Sequence, residues 1–481
     1  MSSVRIGIIG SGFGGMAAAI ELKKAGHHDI VMFEKSGEVG GVWRDNTYPG
    51  AAVDVPSPYY SFSYEPNPVW PHRFSHQPDI LGYLKHVADV HDLHRHIRFH
   101  TEVKEAEFDA DARTWRVRTT DGGECYFDVL VSAVGLLTQP VRPRIEGQAT
   151  FAGPVFHSAE WDHSVDVAGK RVGIIGTGAS AIQIVPAIQP TVEAVTVFQR
   201  TPPYVLPRLD IRYRPIHHRV FRRVPLLQRL ERLLWFFVHE FMAVALLYAS
   251  PLGRLFTVLA RRQLERAVGD PALREELWPD YPIGCKRILV SSDYFPALTK
   301  PNAEVVTEPI TEITPTGVST ADGARRALDV LVYCTGFKAH DFLPGLSIRG
   351  IGGTDLHQYW SEGARAYLGM TVPNFPNFLI IYGPNTNTGT ASVVYILETQ
   401  ARYLRRLVDH VAATGQRYMP CADVADAFDA RTQRSLSRSV WSACASWYRD
   451  PSGRISTNWP YLPFLYRRRA RFRARDFQAV G

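Results

Sequence analysis

Apolar residues fall along this chain in two patterns. The first is a set of short, predominantly apolar runs, at residues 4–9, 30–33, 127–135, 171–175, 194–198, 328–337 and 377–382. Such runs suit strands buried on both faces. Helix-prone stretches follow several of them, at 16–24, at 182–188 and from Ser392 toward Leu407. Strands alternating with helices predict an α/β protein built on parallel sheets. Two of the runs, Phe127-Asp128-Val-Leu-Val and Leu328-Asp329-Val-Leu-Val, are near duplicates, and each ends shortly before a glycine, Gly135 and Gly336.

The second pattern has the period of a helix. Leu226, Leu230, Leu233, Phe237 and Phe241 recur at three- and four-residue spacing, with Arg229, Arg232 and Glu240 off that stripe. The stripe is expected to be core, and Trp235, Phe236, Phe241 and Tyr248 suit a bulky apolar substrate nearby. Residues 233–238 and 241–250 are strongly apolar, but His239 and Glu240 divide them. Neither piece reaches the ~18 residues needed to cross a bilayer, so a buried or membrane-touching helix is expected.

At 481 residues the chain is long for one core, and two or three units are expected. The formal net charge of +7 would change the picture only if it covered one face. It does not: Arg467, Arg468, Arg469, Arg471, Arg473 and Arg475 sit in the tail with no acid among them, which reads as a solvated or frayed terminus, with a membrane-surface or acidic-partner contact as the alternative. No nucleic-acid partner is implied. The five cysteines, Cys125, Cys285, Cys334, Cys421 and Cys444, show no C-x-x-C spacing. They predict neither a disulfide framework nor a metal site, and they argue against a dithiol reductase. The amino terminus runs into a strand without a charged-then-apolar leader, and a cytoplasmic location is expected.

Two strand ends carry glycine-rich turns. Residues 4–9 lead into Gly10-Ser-Gly12-Phe-Gly14-Gly15 and then a helix, the context in which backbone N–H groups and a helix terminus approach a pyrophosphate. The next strand ends in Glu34, whose carboxylate suits both hydroxyls of an unphosphorylated ribose, as in FAD or NAD. The second turn, Gly176-Thr-Gly178-Ala-Ser180-Ala181, repeats the plan, but its following strand ends in Gln199-Arg200-Thr201. A guanidinium there suits a 2′-phosphate, so this turn reads as an NADPH site. Two such turns in strand–turn–helix context, one followed by Glu and one by Arg, indicate a flavoprotein holding two dinucleotides.

Just before the second turn stands Phe151-Ala-Gly153-Pro-Val-Phe-His157-Ser-Ala-Glu-Trp161-Asp162. It resembles the F-x-G-x-x-x-H-x-x-x-W-D fingerprint of the type I Baeyer–Villiger monooxygenases. Gly40-Gly41-Val-Trp43 through Tyr48-Pro49-Gly50 to Asp54 resembles that family's longer signature at every fixed position. Residues 328–337 resemble the A-T-G-F/Y motif of the flavin-containing monooxygenase superfamily, with Cys334 in place of alanine.

The resemblance implies an enzyme that uses FAD, NADPH and dioxygen to insert one oxygen atom beside a ketone carbonyl, giving an ester or lactone. It implies an FAD site of Gly10, Gly12, Gly15, Glu34, Gly41, Trp43, Asp54, Tyr60, Gly383 and Asn385. The NADPH site it implies is Gly176, Gly178, Ser180, Arg200, Thr201, Lys286 and Trp447. Arg287 and Asp54, paired at the flavin, are the expected catalytic residues, with Asp54 orienting the guanidinium, while Lys286 helps Arg200 with the 2′-phosphate. Phe151, Gly153, His157, Trp161 and Asp162 are expected to couple the motions of the nucleotide domains, with His157 in the linker rather than transferring protons.

The implied architecture is two Rossmann-like domains with an inserted helical subdomain. FAD would be held by 1–138 and 340–481 and NADPH by 139–206 and 284–339, with 207–283 as the helical insertion. The expected partners are O2 and a small-molecule, apolar ketone. Two other readings stand beside this one. A flavin-containing monooxygenase oxidising nitrogen or sulfur needs no Asp54–Arg287 pair, and its shorter fingerprint lacks the acid that follows Trp161. A non-catalytic flavoprotein would serve as a redox sensor or membrane-binding module.

Overall fold

The computed structural model describes residues 3–247, 250–450 and 452–480. Two five-stranded parallel sheets organise it, each of the Rossmann type. The first takes strands from both ends of the chain, in the order Phe378–Ile380, Val129–Ser132, Ile6–Ile9, Ile30–Phe33, Ile97–Arg98. The second uses the middle of the chain, in the order Ala303–Val306, Ala194–Phe198, Arg171–Ile175, Val330–Tyr333, Val155–His157. Nearly every side chain of the central strands is buried, as continuous apolar runs require.

The duplicated run has a structural cause. Asp128 accepts the Arg5 N–H at 2.8 Å, and Asp329 accepts the Arg171 N–H at 2.8 Å. In each sheet an aspartate at the start of one strand thus satisfies a backbone donor at the start of its neighbour. Hydrogen bonds from Arg171 hold the Asp329 carboxyl down to about 2.

Helices Pro215–Arg223, Pro225–Leu247, Gly253–Ala267 and Pro271–Glu276 form the insertion. Here the expected burial is reversed. Leu226, Leu230, Leu233, Phe237 and Phe241 are 60%, 49%, 47%, 59% and 43% exposed. Much of the face turned inward is polar, because it meets loops with open carbonyls, and only toward the end of the helix are Ala243, Ala245, Leu246 and Leu247 buried. Arg232 donates to Pro58 and Ser61 oxygens at 2.8 and 2.7 Å, Gln228 to the Asn67 oxygen, and His239 bonds the Thr390 oxygen. Trp235 and Phe236 are half-buried against the core of the first sheet, while Tyr248 lies outside the described residues.

Two further expectations are corrected. The arginine-rich tail is docked rather than frayed. Its helix Pro463–Arg469 buries Tyr466, and strand Phe477–Val480 pairs antiparallel with Arg417–Pro420. Cysteine spacing also misled: Cys285 and Cys444 form a disulfide across 159 residues of sequence, a pairing that only the tertiary fold creates. Among the described residues no helix is long and apolar enough to cross a membrane, and no cluster of metal-ligating side chains occurs.

Candidate active site

The carboxyl ends of both sheets open onto one cleft of about 2010 Å³, larger than the ~300–1,000 Å³ typical of a pocket for one small molecule. Both glycine turns line it. Gly10 and Gly176 sit at φ +102° and +110°, and a Cβ on either would lie 2.7 or 2.5 Å from a backbone oxygen, of Ala133 or Cys334. Only glycine fits either turn, and the bare backbone is left open to a ligand.

On the first side the wall includes Gly12, Glu34, Gly41, Trp43, Asp54 and Tyr60. Gly15 stands behind it, where the helix crosses the Gly10 carbonyl so closely that a Cβ would lie 2.0 Å away. Glu34 is buried, and its carboxylate accepts from Ser11 N–H and Oγ at 3.1 and 2.7 Å, from Ser36 N–H at 3.0 Å and from Arg44 at 2.9 Å. Protein donors thus fill about four acceptor positions, so a ribose hydroxyl binding there displaces one of them. Trp43 Nε1–H donates to the Tyr60 hydroxyl at 3.2 Å and fixes the signature loop.

Arg287 meets Asp54 across 233 residues of sequence, with Nη2 2.5 Å from Oδ2. Its exposed surface faces this cleft. The Asp54 carboxylate raises the guanidinium pKa above its ordinary value, so Arg287 is a cation at every working pH. Tyr382 and Tyr448 surround it, and burial pushes the Tyr382 hydroxyl up to about 12.

On the second side Gly178, Ser180, Arg200, Thr201, Lys286 and Trp447 line the cleft with Gly176. Burial, followed by the charge of Arg200, lowers the Lys286 pKa. No carboxylate lies within ion-pair distance of Arg200 or Lys286 among the described residues. Two cations left close together without a counterion suit a doubly charged anion.

The remaining expected residues do not reach the cleft surface. Asn385 is buried and donates to the Ile455 and Asn458 oxygens at 2.8 and 3.0 Å, while Gly383 packs against the Gly369 carbonyl. The same loop instead presents Tyr382, Asn387 and Thr388. The fingerprint residues also lie off the wall. Phe151 and Trp161 are core, Asp162 caps a turn through Ser164, and a Cβ on Gly153 would sit 2.3 Å from the Asp329 oxygen.

His157 is fully buried at the end of a strand, accepting the Ala159 N–H at 3.1 Å. Burial holds its pKa below the ordinary imidazole value. The unfolded chain therefore binds that proton more tightly. The folded state loses stability as pH falls below the unfolded value of about 6.5, and the group contributes nothing above it. His157→Gln should flatten part of the fall in melting temperature between about pH 7 and 5; an unchanged slope would assign that fall to other groups.

A profile of the flavin-binding monooxygenase-like family matches residues 3–242. The chain is 44% identical to a Baeyer–Villiger monooxygenase of Streptomyces coelicolor over 473 residues, spanning 97% of this chain and 91% of that protein. The chain belongs to the Baeyer–Villiger monooxygenases. Among solved structures similar to this Baeyer–Villiger monooxygenase, OTEMO in complex with FAD and NADP has a TM-score of 0.89 at 26% identity, covering 100% of both chains. Oxidized steroid monooxygenase bound to NADP has a TM-score of 0.88 at 30% identity over 99% of each chain.

Sequence reasoning missed two features of this monooxygenase. Tyr48 Oη donates to Gln183 Oε1 at 3.0 Å, and Gln183 Nε2 donates to the Ala52 oxygen at 3.0 Å, tying the long signature to the helix of the second turn. No motif marks that glutamine. The second is the cystine, which joins the loop carrying Lys286 and Arg287 to the segment carrying Trp447. Cys444→Ser should remove about 2–4 kcal/mol of stability and raise the KM for NADPH several-fold. Thermal melts and steady-state rates read both effects, and an unchanged KM would limit the link to a structural tie.

Proposed function

We propose that this chain is an NADPH- and FAD-dependent monooxygenase that converts a ketone, dioxygen, NADPH and a proton into an ester or lactone, NADP+ and water. The observation that carries this reading is the Arg287–Asp54 pair facing the cleft where the two nucleotide turns meet. The turns at Gly10 and Gly176 fit two pyrophosphates, and Arg200 and Lys286, with no carboxylate in ion-pair distance among the described residues, fit a 2′-phosphate. The FAD and NADP named for OTEMO support the same assignment.

Bound FAD, reduced by NADPH, supplies the electrons that activate dioxygen. The protein does the rest with fixed charge. Arg287 would present its N–H donors to the oxygen being transferred, where its permanent positive charge favours the unprotonated form that attack on a carbonyl carbon requires. It then stabilises the oxyanion formed on the former ketone. Asp54 is a positioning residue that aims the guanidinium. Trp43 and Tyr60 would line the flavin, and Trp447 would line the nicotinamide nucleotide. His157, buried with one ring nitrogen bonded to its own turn, couples the second sheet to the linker instead of moving a proton.

By the same reading, 1–138 and 340–481 hold FAD, 139–206 and 284–339 hold NADPH, and 207–283 covers the cleft. The substrate is an apolar ketone, for which Met242, Ala243 and Leu246 supply an apolar wall. The need for NADPH suits the cytoplasm. Heteroatom oxidation requires a protonated, electrophilic oxygen, which Arg287 opposes. A panel of ketones and a thioether tests this reading. Ester formed in proportion to NADPH consumed supports it, and sulfoxide alone overturns it.

A further inference from the structure

We propose that the outer face of the Pro225–Leu247 helix is a docking surface for a bilayer rich in anionic lipid, with the helix lying in the headgroup plane. Leu226, Leu230, Leu233, Leu234, Phe237 and Val244 are all more than two-fifths exposed along one side of that helix. Leu252 and Leu255, at the start of the next helix, are exposed as well. A contiguous apolar surface of this kind is rare on a monomer that meets only water.

The exposure is built in. Arg232, Gln228, His239 and Glu240 are bonded to Pro58, Asn67, Thr390 and Phe464 backbone groups on the inner side, so the helix cannot roll its leucines inward without abandoning those bonds. No helix among the described residues is long and apolar enough to cross a membrane, and the proposal has this one lying along a surface.

Charge selects the occupant. Residues 214–268 hold ten arginines against three acids, Glu231, Glu240 and Glu265. Glu231 and Glu265 pair with Arg73 and Arg261, and Glu240 is buried. Arg222, Arg223 and Arg229 are exposed, with no carboxylate in ion-pair distance among the described residues. The tail helix Pro463–Arg469 packs against the same helix and adds exposed Arg468. An apolar stripe flanked by unpaired arginines complements acyl chains beneath anionic headgroups. A second copy of this chain fits less well, because a two-fold contact would set arginines against arginines.

The inner side of this helix contributes His239, Met242 and Ala243 to the cleft wall, so docking would set the cleft beside the bilayer. On the function proposed above, and resting on it, the substrate would be a lipid-dissolved ketone. Vesicle binding is measured without turnover, so its failure is distinct from failure of that function.

The test is flotation of the full-length holoenzyme with phosphatidylcholine vesicles, with and without phosphatidylglycerol. Binding is expected with the anionic vesicles at low salt and should weaken by about tenfold or more on neutral vesicles or at high salt. Leu230→Ser/Leu233→Ser/Phe237→Ser should weaken it about tenfold while leaving melting temperature and NADPH oxidation unchanged. Should that variant misfold, Arg222→Gln/Arg223→Gln/Arg229→Gln reads the charge half alone, with the salt-sensitive preference lost. Wild type that stays unbound under all conditions overturns the proposal. So does a dimer, seen by light scattering and abolished by the leucine variant, without vesicle binding.

Discussion

Arg287→Ala retains FAD, oxidises NADPH slowly and forms ester at least about 10²–10³-fold more slowly than wild type. The guanidinium is held 2.5 Å from Asp54 and takes no part in the hydrogen bonds of Glu34, so removing it leaves those contacts intact. What disappears is the fixed positive charge beside the oxygen being transferred. A donor of this type is worth about 3–4 kcal/mol, or about 10²–10³ in kcat. Arg287→Lys should recover only part of the rate, since an ammonium cannot reach Asp54 and the reacting oxygen with the same fork. Asp54→Asn should lower the ratio of ester formed to NADPH consumed more than it changes the KM for NADPH, as expected of a positioning residue. Ester formation by Arg287→Ala at the wild-type rate would remove this residue from the chemistry.

Arg200→Ala raises the KM for NADPH by about 10–100-fold and leaves that for NADH almost unchanged. The estimate follows from the ~1.5–3 kcal/mol of a hydrogen bond to a charged group. Lys286→Ala should act in the same direction, because burial and the neighbouring Arg200 already disfavour its charge and a 2′-phosphate relieves that repulsion. Steady-state kinetics with both nucleotides decide the matter. An unchanged preference would place recognition of the 2′-phosphate elsewhere in the cleft.

Much of this arrangement was legible because its signals are local. Strands Ile30–Phe33, Arg171–Ile175 and Ala194–Phe198 have the bounds their apolar runs define, and the glycine turns carry their own geometry. Arg287 and Asp54 were legible only through the family signatures, since nothing in either segment alone points to a partner 233 residues away. The stripe at Leu226 to Phe241 failed for a physical reason. Periodicity shows that a helix has two faces, but the inward one is chosen by what it meets, and here that is a set of loop carbonyls. At Asn385 the loop around it reaches the cleft, while its own side chain serves the Ile455 and Asn458 carbonyls, a pairing that no local signal records. The Cys285–Cys444 bond and the Gln183 bridge depend on distant segments meeting, which spacing rules do not record.

The most direct test of oxygen insertion at a ketone is product analysis by mass spectrometry after turnover of purified protein with FAD, NADPH, isotopically heavy dioxygen and a panel of apolar ketones. One heavy oxygen atom in the ester or lactone is the expected result. Label found only in water and hydrogen peroxide with every ketone, or only in a sulfoxide when a thioether is supplied, would contradict it.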